Sequence, residues 1–214
     1  MNIGAHYNQT IAKPITENNL YGLRNKLFMY NLDESLVAMK RSLMFIYSIA
    51  KQKKSCILIA NTCADYDNIV KKIAISNSQN YVNSHWVGGM LTNWKQINKS
   101  VKAFSFFSSN FKTFLNNKSI RLPRYLKMFK YFRGVTNMKK LPDVVIVIDP
   151  LQSREVIHEA ILLNIPVISF TGYNNSNFIG NTQGITYPIP VNNNSINFIY
   201  FYLNLVHKIL KLNK

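Results

Sequence analysis

Three observations predict an α/β fold with a parallel sheet. First, residues 141–170, LPDVVIVIDPLQSREVIHEAILLNIPVISF, read strand, helix, strand, which suits a right-handed parallel crossover unit. Second, 144–148 is a nearly unbroken apolar run, as expected of a strand buried on both faces. Third, a strand–helix–strand–helix alternation fills residues 27–74.

Taken in order, residues 1–19 are polar, contain Pro14 and lack apolar periodicity, so 1–26 is expected to be an extended arm. LFMY at 27–30 reads as the first strand. Asp33 is placed to cap the next helix, which runs to about Ala50 with Leu36, Met39, Leu43, Ile46 and Tyr47 at three- and four-residue spacing. A basic turn over 51–54 leads to CILIA at 56–60, a second buried strand. Thr62 and Asp65 resemble a capping box for a helix through about Ala74. Residues 81–83 make a third short strand. Behind Trp86, Gly88-Gly89 imply a tight turn with closely packed backbone.

Residues 91–116 are helix-compatible and dense in aromatics. Leu122-Pro123 breaks that run, and 124–132 form a second helix that Gly134 ends. In the 141–170 unit Ser153 can cap the helix, whose apolar side holds Val156, Ile157, Ala160, Ile161 and Leu163. Tyr187-Pro188-Ile189-Pro190 reads as an edge segment, because proline cannot donate to a central ladder. The last helix, 195–210, is expected to bury Ile196, Ile199, Tyr200, Leu203, Val206 and Leu210. The chain thus divides into an arm (1–26), a first part of the α/β domain (27–94), a basic helical hairpin (95–140) and a second part with the C-terminal helix (141–214).

Charge points to the partner. The chain carries 26 Lys+Arg against 9 Asp+Glu, a formal +17 on 214 residues. Such a charge is costly in a compact state unless a polyanion neutralises it, and nucleic acid is the leading polyanion. Between Asp67 and Asp143 there is no acidic residue at all. Lys95, Lys99 and Lys102 share one helical face; Arg124, Lys127 and Lys130 share another. Like charges at that spacing destabilise an isolated helix, and phosphates across the face relieve the repulsion. With Lys112, Lys118, Arg121 and Arg133 they are the hairpin's RNA-binding candidates.

Nothing in the sequence assembles a catalytic, cofactor or metal site. Asp143 and Asp149 bracket one strand, about 20 Å apart by strand rise, so they do not share a metal. Glu155 and Glu159 read as solvated carboxylates on the polar side of their helix. NTCADYD after the CILIA strand has no glycine for a pyrophosphate to approach. Cys56 and Cys63 flank one strand, too far apart for a disulfide, and read as thiols of a reducing compartment. His6, His85, His158 and His207 lack metal-ligand spacing. The first ten residues have no apolar signal region, and no window of 18 apolar residues predicts a membrane span.

The motifs resemble one family. Tyr81-Val82-Asn83-Ser84-His85-Trp86-Val87-Gly88-Gly89-Met90-Leu91-Thr92-Asn93 is similar to the Asn-x-Arg-Trp-Leu-Gly-Gly-x-Leu-Thr-Asn signature of the ribosomal small-subunit protein S2 family, in its bacterial and organellar form. Leu141-Pro142-Asp143, Val147-Ile148-Asp149, Glu159-Ala160, Ile165-Pro166 and Tyr187-Pro188-Ile189-Pro190 with Asn192 follow in the family's order. Gly4, His6, Pro14, Tyr21-Gly22 and Arg24-Asn25 resemble its N-terminal segment. The resemblance implies a flavodoxin-like or Rossmann-like three-layer sandwich, a parallel sheet between helices with a projecting basic helical hairpin, and a non-enzymatic protein. It also implies contacts with small-subunit ribosomal RNA and neighbouring ribosomal proteins, and no small-molecule substrate.

Arg24 and His85 join the RNA-binding candidates. His85 stands where the family has arginine, Asn193 and Asn194 where it has aspartates, and the hairpin lacks the family's glutamates. The loop over 171–184 is longer and departs from the family pattern. This drift, with the Asn- and Lys-rich composition of an A+T-rich gene, points to an organelle-encoded protein of the mitochondrial small ribosomal subunit. The alternatives are a free-standing RNA-binding module and an α/β RNA-processing enzyme, the latter needing converging carboxylates or a phosphate loop.

Overall fold

The computed structural model describes residues 5–6, 20–25, 27–52, 55–83, 85–110, 123–172 and 184–212. It opens with an antiparallel pair, β1 (Leu20–Arg24) and β2 (Leu27–Tyr30), in which Arg24 faces Leu27 across a two-residue connection. Asn25 there has φ 52°, a left-handed conformation that asparagine tolerates and hairpin turns use. The expected first strand is therefore not part of the parallel sheet, because its local partner β1 pairs with it instead. The arm is also tied down where it is described: Tyr30 N donates to His6 O at 3.1 Å and Asn192 N to Ala5 O at 3.0 Å.

The remaining strands form one sheet. β3 (Ile57–Asn61), β4 (Asn80–Asn83), β5 (Val144–Val147), β6 (Val167–Thr171) and β7 (Tyr187–Pro190) lie in the order β4-β3-β5-β6-β7, with every pairing parallel. The proline-bearing β7 occupies an edge, as its missing donors require. Alternation along the strands feeds two cores. Ile57, Ile59, Val144, Ile146 and Ile148 face one side; Leu58, Ala60, Val145 and Val147 face the other.

The first core is covered by α1 (Leu32–Ala50), α2 (Asp67–Ser76) and α6 (Ile196–Leu212). The second is covered by the start of α3 (Trp94–Asn110), the end of α4 (Pro123–Phe132) and α5 (Arg154–Leu162). Pro123 opens α4 at a position whose N–H has no intrahelical partner in any case.

The caps differ from expectation. Asn31, not Asp33, caps α1, its side chain accepting from Asp33 N at 3.1 Å; Asp33 lies within the first turn, where its charge meets the helix dipole. Thr62 and Asp65 form no capping box, because a 3-10 turn over Ala64–Tyr66 moves the start of α2 to Asp67. Ser153 stands at the start of α5 without making a cap hydrogen bond. Asp149 orders that turn, accepting from Leu151 N at 3.0 Å.

Two apolar stripes are rotated as well. On α1, Leu36 and Tyr47 are exposed, while Ile46, Ile49 and Ala50 are buried against β7 and α6. On α6, Ile196 and Tyr200 are exposed, and Phe198 and Tyr202 are buried beside Phe170. A buried hydrogen bond between Tyr202 Oη and Ser42 Oγ, 2.9 Å, fixes the register of α1 on α6. Ser42 Oγ already donates to Met39 O at 2.7 Å, so the tyrosine is the donor.

Candidate nucleic-acid interface

The turn between β4 and α3 is built around a carboxylate. Trp86 is buried in the second core, and its indole N–H then needs an acceptor. Glu159, on α5, supplies it. Glu159 Oε1 accepts from Trp86 Nε1 and Gly89 N, each at 2.8 Å; Oε2 accepts from Leu91 N at 2.8 Å, Thr92 N at 3.1 Å and Thr92 Oγ1 at 3.3 Å. Glu159 is therefore not the solvated carboxylate expected from its helical neighbours: it is 6 % exposed. The correction has a physical reason, since the turn exposes several N–H groups toward α5 that only an acceptor can satisfy. Burial, the largest single influence, raises its pKa. The hydrogen bonds from Trp86, Leu91, Thr92 and Gly89 together outweigh that, and the net shift is downward. Gly89, at φ 82°, adopts the left-handed conformation the turn requires.

This clamp sets the start of α3, which packs on α4. The two helices are joined by an aromatic cluster. Phe104 is buried and lies 5.6 Å from Tyr125, 6.3 Å from Phe129 and 6.4 Å from Phe132. Phe107 meets Tyr125 at 5.7 Å, whereas Phe106 is exposed. Phe104, Phe107, Tyr125 and Phe132 thus hold the helices to each other and to the sheet, while Lys95, Lys99 and Lys102 are exposed on α3, and Arg124, Lys127 and Lys130 on α4.

Arg133 is placed differently. It is half-buried, with its guanidinium 5.8 Å from the Phe129 ring centroid. Its charge acts on Asp67, whose pKa burial raises and which Arg133, the Asn61 hydrogen bond and Lys130 pull back down. Arg24 is exposed on the separate two-stranded sheet. Lys112, Lys118 and Arg121 lie outside the described residues, as does the polar loop from 173 to 183.

His85 is exposed and its ring lies 5.6 Å from that of Tyr131. Both line an open cleft with Lys127, Gly88, Glu155 and His158. The structure therefore brings together His85 and Lys127 from the expected set, and adds His158, which sequence spacing did not connect to them. Asp143 and Asp149 are both engaged locally. Asp143 accepts from Cys56 N at 2.7 Å and pairs with Lys140 at 2.6 Å. Burial raises the pKa of Asp149 against hydrogen bonds from Leu151 and Gln152. Among the described residues no group of three His, Cys, Asp or Glu side chains is placed to hold a metal ion. No helix among them is long and apolar enough to cross a membrane.

A parallel α/β sandwich with a cationic helix pair on one face is the class these features define. The profile of the family described as Ribosomal protein S2 matches residues 1–211. The chain is 36 % identical over 198 residues to "Small ribosomal subunit protein uS2m" of Marchantia polymorpha, covering 91 % of this chain and 82 % of that one. It is 30 % identical over 211 residues to "Small ribosomal subunit protein uS2" of Colwellia psychrerythraea, covering 95 % and 85 %. The protein of the same name from Ehrlichia canis is 31 % identical over 210 residues, covering 95 % and 70 %. The chain belongs to the ribosomal protein S2 family.

Proposed function

We propose that this chain is a structural constituent of the small subunit of a mitochondrial ribosome. There its sandwich acts as a rigid block, and its α3–α4 pair, with the residues between them, forms a basic hairpin that positions ribosomal RNA through its phosphates. The observation that carries the reading is the acid-free pair of helices on a family-defining scaffold: six exposed cations, Lys95, Lys99, Lys102, Arg124, Lys127 and Lys130, with no carboxylate between them in sequence. Contacts of this kind set register on folded RNA without reading bases. Arg24, His85, Lys112, Lys118, Arg121 and Arg133 complete the proposed set, with the Arg133 charge also acting on Asp67.

The strand order, renumbered within the sheet as 2-1-3-4-5, supports a flavodoxin-like architecture. The boundaries 1–26, 27–94, 95–140 and 141–214 describe the proposed division of the chain, with β1 now assigned to the end of the arm. The mitochondrial assignment draws on the uS2m relative and on the Asn- and Lys-rich composition. Bacterial relatives of 30–32 % identity stand close behind. The chain is not an enzyme: its family is structural, and neighbouring small-subunit proteins and RNA are its partners.

Reversing the charge of Lys127 and Lys130 is expected to lower incorporation into the small subunit while the domain stays folded, since both side chains are exposed. Sedimentation of an organelle lysate with quantitative mass spectrometry reads this directly. Normal incorporation of the double variant refutes the proposed interface.

A further inference from the structure

The +17 charge is not confined to the α3–α4 pair. On the opposite face of the sheet, α2 and α6 pack side by side and leave a cleft between them. Its walls carry Lys72 and Asn68 from α2, and Lys211, Asn204, His207 and Tyr200 from α6. No lining residue is acidic. The one carboxylate on either helix is Asp67, in the first turn of α2, and it is held by Asn61 Nδ2 at 2.9 Å. Lys72 and Lys211 are exposed, as is Tyr200, which is 52 % accessible. The wall is also stiffened from behind. Asn77, 1 % exposed, donates through Nδ2 to His207 Nδ1 at 2.8 Å and to Ile73 O at 2.8 Å, locking the imidazole against the end of α2.

We propose that this α2–α6 cleft is a second RNA-backbone site, so that the protein is gripped by RNA on both faces of its sheet; the inference rests on the ribosomal reading above. Two ammonium groups from two different helices converge on one concavity, where their repulsion is relieved by a phosphate and where field lines are focused. The amides of Asn68 and Asn204 and the Tyr200 hydroxyl are hydrogen-bonding groups of the kind that contact phosphate and ribose oxygens. The exposed Tyr200 ring gives an unpaired base a stacking surface. Two lysines, two amides and a tyrosine in a carboxylate-free cleft match a sugar–phosphate chain.

The test is the salt dependence of binding by the full chain to a transcript of its own small-subunit ribosomal RNA. Each lysine–phosphate contact contributes about 0.7–0.9 to the slope of log K against log salt. Lys72→Gln with Lys211→Gln should lower that slope by about 1.5, with the unfolding midpoint unchanged. Lys127→Gln with Lys130→Gln should lower it independently. A wild-type slope in the first variant, beside a reduced one in the second, overturns the α2–α6 site and leaves the ribosomal reading standing. Cross-links from the Lys72 or Lys211 peptides to a protein rather than to RNA in assembled subunits overturn it in favour of an acidic protein neighbour. If the wild-type chain shows no salt-dependent binding to that RNA, the ribosomal reading fails first and the second site with it.

Discussion

Replacing Glu159 by glutamine tests whether one buried carboxylate holds the entrance to the cationic helices. The carboxylate accepts four N–H groups and a hydroxyl, two donors on Oε1 and three on Oε2. A glutamine has one acceptor oxygen and one NH2 group. In either orientation its NH2 points at two N–H donors: Leu91 N and Thr92 N in one case, Trp86 Nε1 and Gly89 N in the other. Hydrogen bonds to a charged group are each worth about 1.5–3 kcal/mol, so losing two costs about 3–6 kcal/mol. That is a large part of the roughly 5–15 kcal/mol that holds a domain together. With a urea slope of about 2 kcal/mol/M, the midpoint should fall by about 1.5–3 M. Tryptophan fluorescence reports it at the site, because Trp86 is itself one of the donors. Glu155→Gln, exposed on the same helix, should leave the midpoint in place. A Glu159→Gln midpoint within 0.5 M (roughly 1 kcal/mol on that slope) of wild type refutes the assignment.

The same residue sets a pH dependence. Its folded pKa lies below the ordinary value of 4.5. The folded state therefore binds this proton less readily than the unfolded chain does. The resulting stability is present in full above the unfolded pKa and is lost as pH falls through the lower, folded one. Glu159→Gln should lack that acid-linked part of the stability profile, measured by urea unfolding at stepped pH.

Three further outcomes follow from particular contacts. A Cβ at Gly134 would overlap the Tyr81 carbonyl oxygen and ring, so Gly134→Ala should cost about 1–3 kcal/mol, read by thermal unfolding, because backbone rather than a movable side chain blocks it. Burial, with Asp143 beside it, pushes the Cys56 thiol up to about 11; alkylation of the native chain near pH 8 should label the half-buried Cys63 alone and reach Cys56 only after unfolding, as peptide mapping would show. Asp149 has its pKa raised chiefly by burial, so its charge opposes folding at neutral pH, and the opposition is relieved as pH falls through the folded value. Asp149→Asn, which keeps an acceptor for Leu151 N, should melt at or above the wild-type temperature at pH 7 and still enter the subunit. A loss of incorporation there would give that strand end a role the geometry does not.

The parallel sheet was legible because its strands are short apolar runs between turn residues, and periodicity within them needs no tertiary knowledge. Residues 141–170 fold strand, helix, strand as their pattern says, although Ser153 makes no cap hydrogen bond and Ile161 is exposed; the two prolines of β7 announce an edge. What was not legible depended on partners distant in sequence. β2 reads as a sheet strand in isolation, and only the left-handed Asn25 and the pairing with β1 remove it from the main sheet. The stripes of α1 and α6 contain more apolar residues than one face can bury, so spacing alone does not choose among them. Contacts such as Ser42 with Tyr202 make the choice. Glu159 reads as solvated for the same reason, since its helical neighbours Arg154, Glu155 and His158 are polar and exposed. A signal was nonetheless present: a buried tryptophan beside paired glycines leaves an indole and several backbone donors in need of an acceptor, and Glu159 belongs to the same family pattern.

The few carboxylates explain how so basic a chain keeps a compact fold. Four of them answer donors that the fold would otherwise strand. Asp143 receives Cys56 N at the start of β3, Asp149 receives Leu151 N after β5, Asp67 receives the Asn61 amide after β3, and Glu159 receives the turn before α3. None of the four is left on the cationic helices to neutralise them. The other acids among the described residues, Asp33, Glu34, Asp65 and Glu155, are exposed, and none lies between Asp67 and Asp143. This distribution separates two tasks: these four carboxylates fasten the scaffold, and the lysines and arginines of α3 and α4 present its outside to a polyanion. Adding one acid on α4 should weaken the second task without touching the first, which is why charge reversal at Lys127 and Lys130 discriminates between an RNA-facing surface and a merely solvated one.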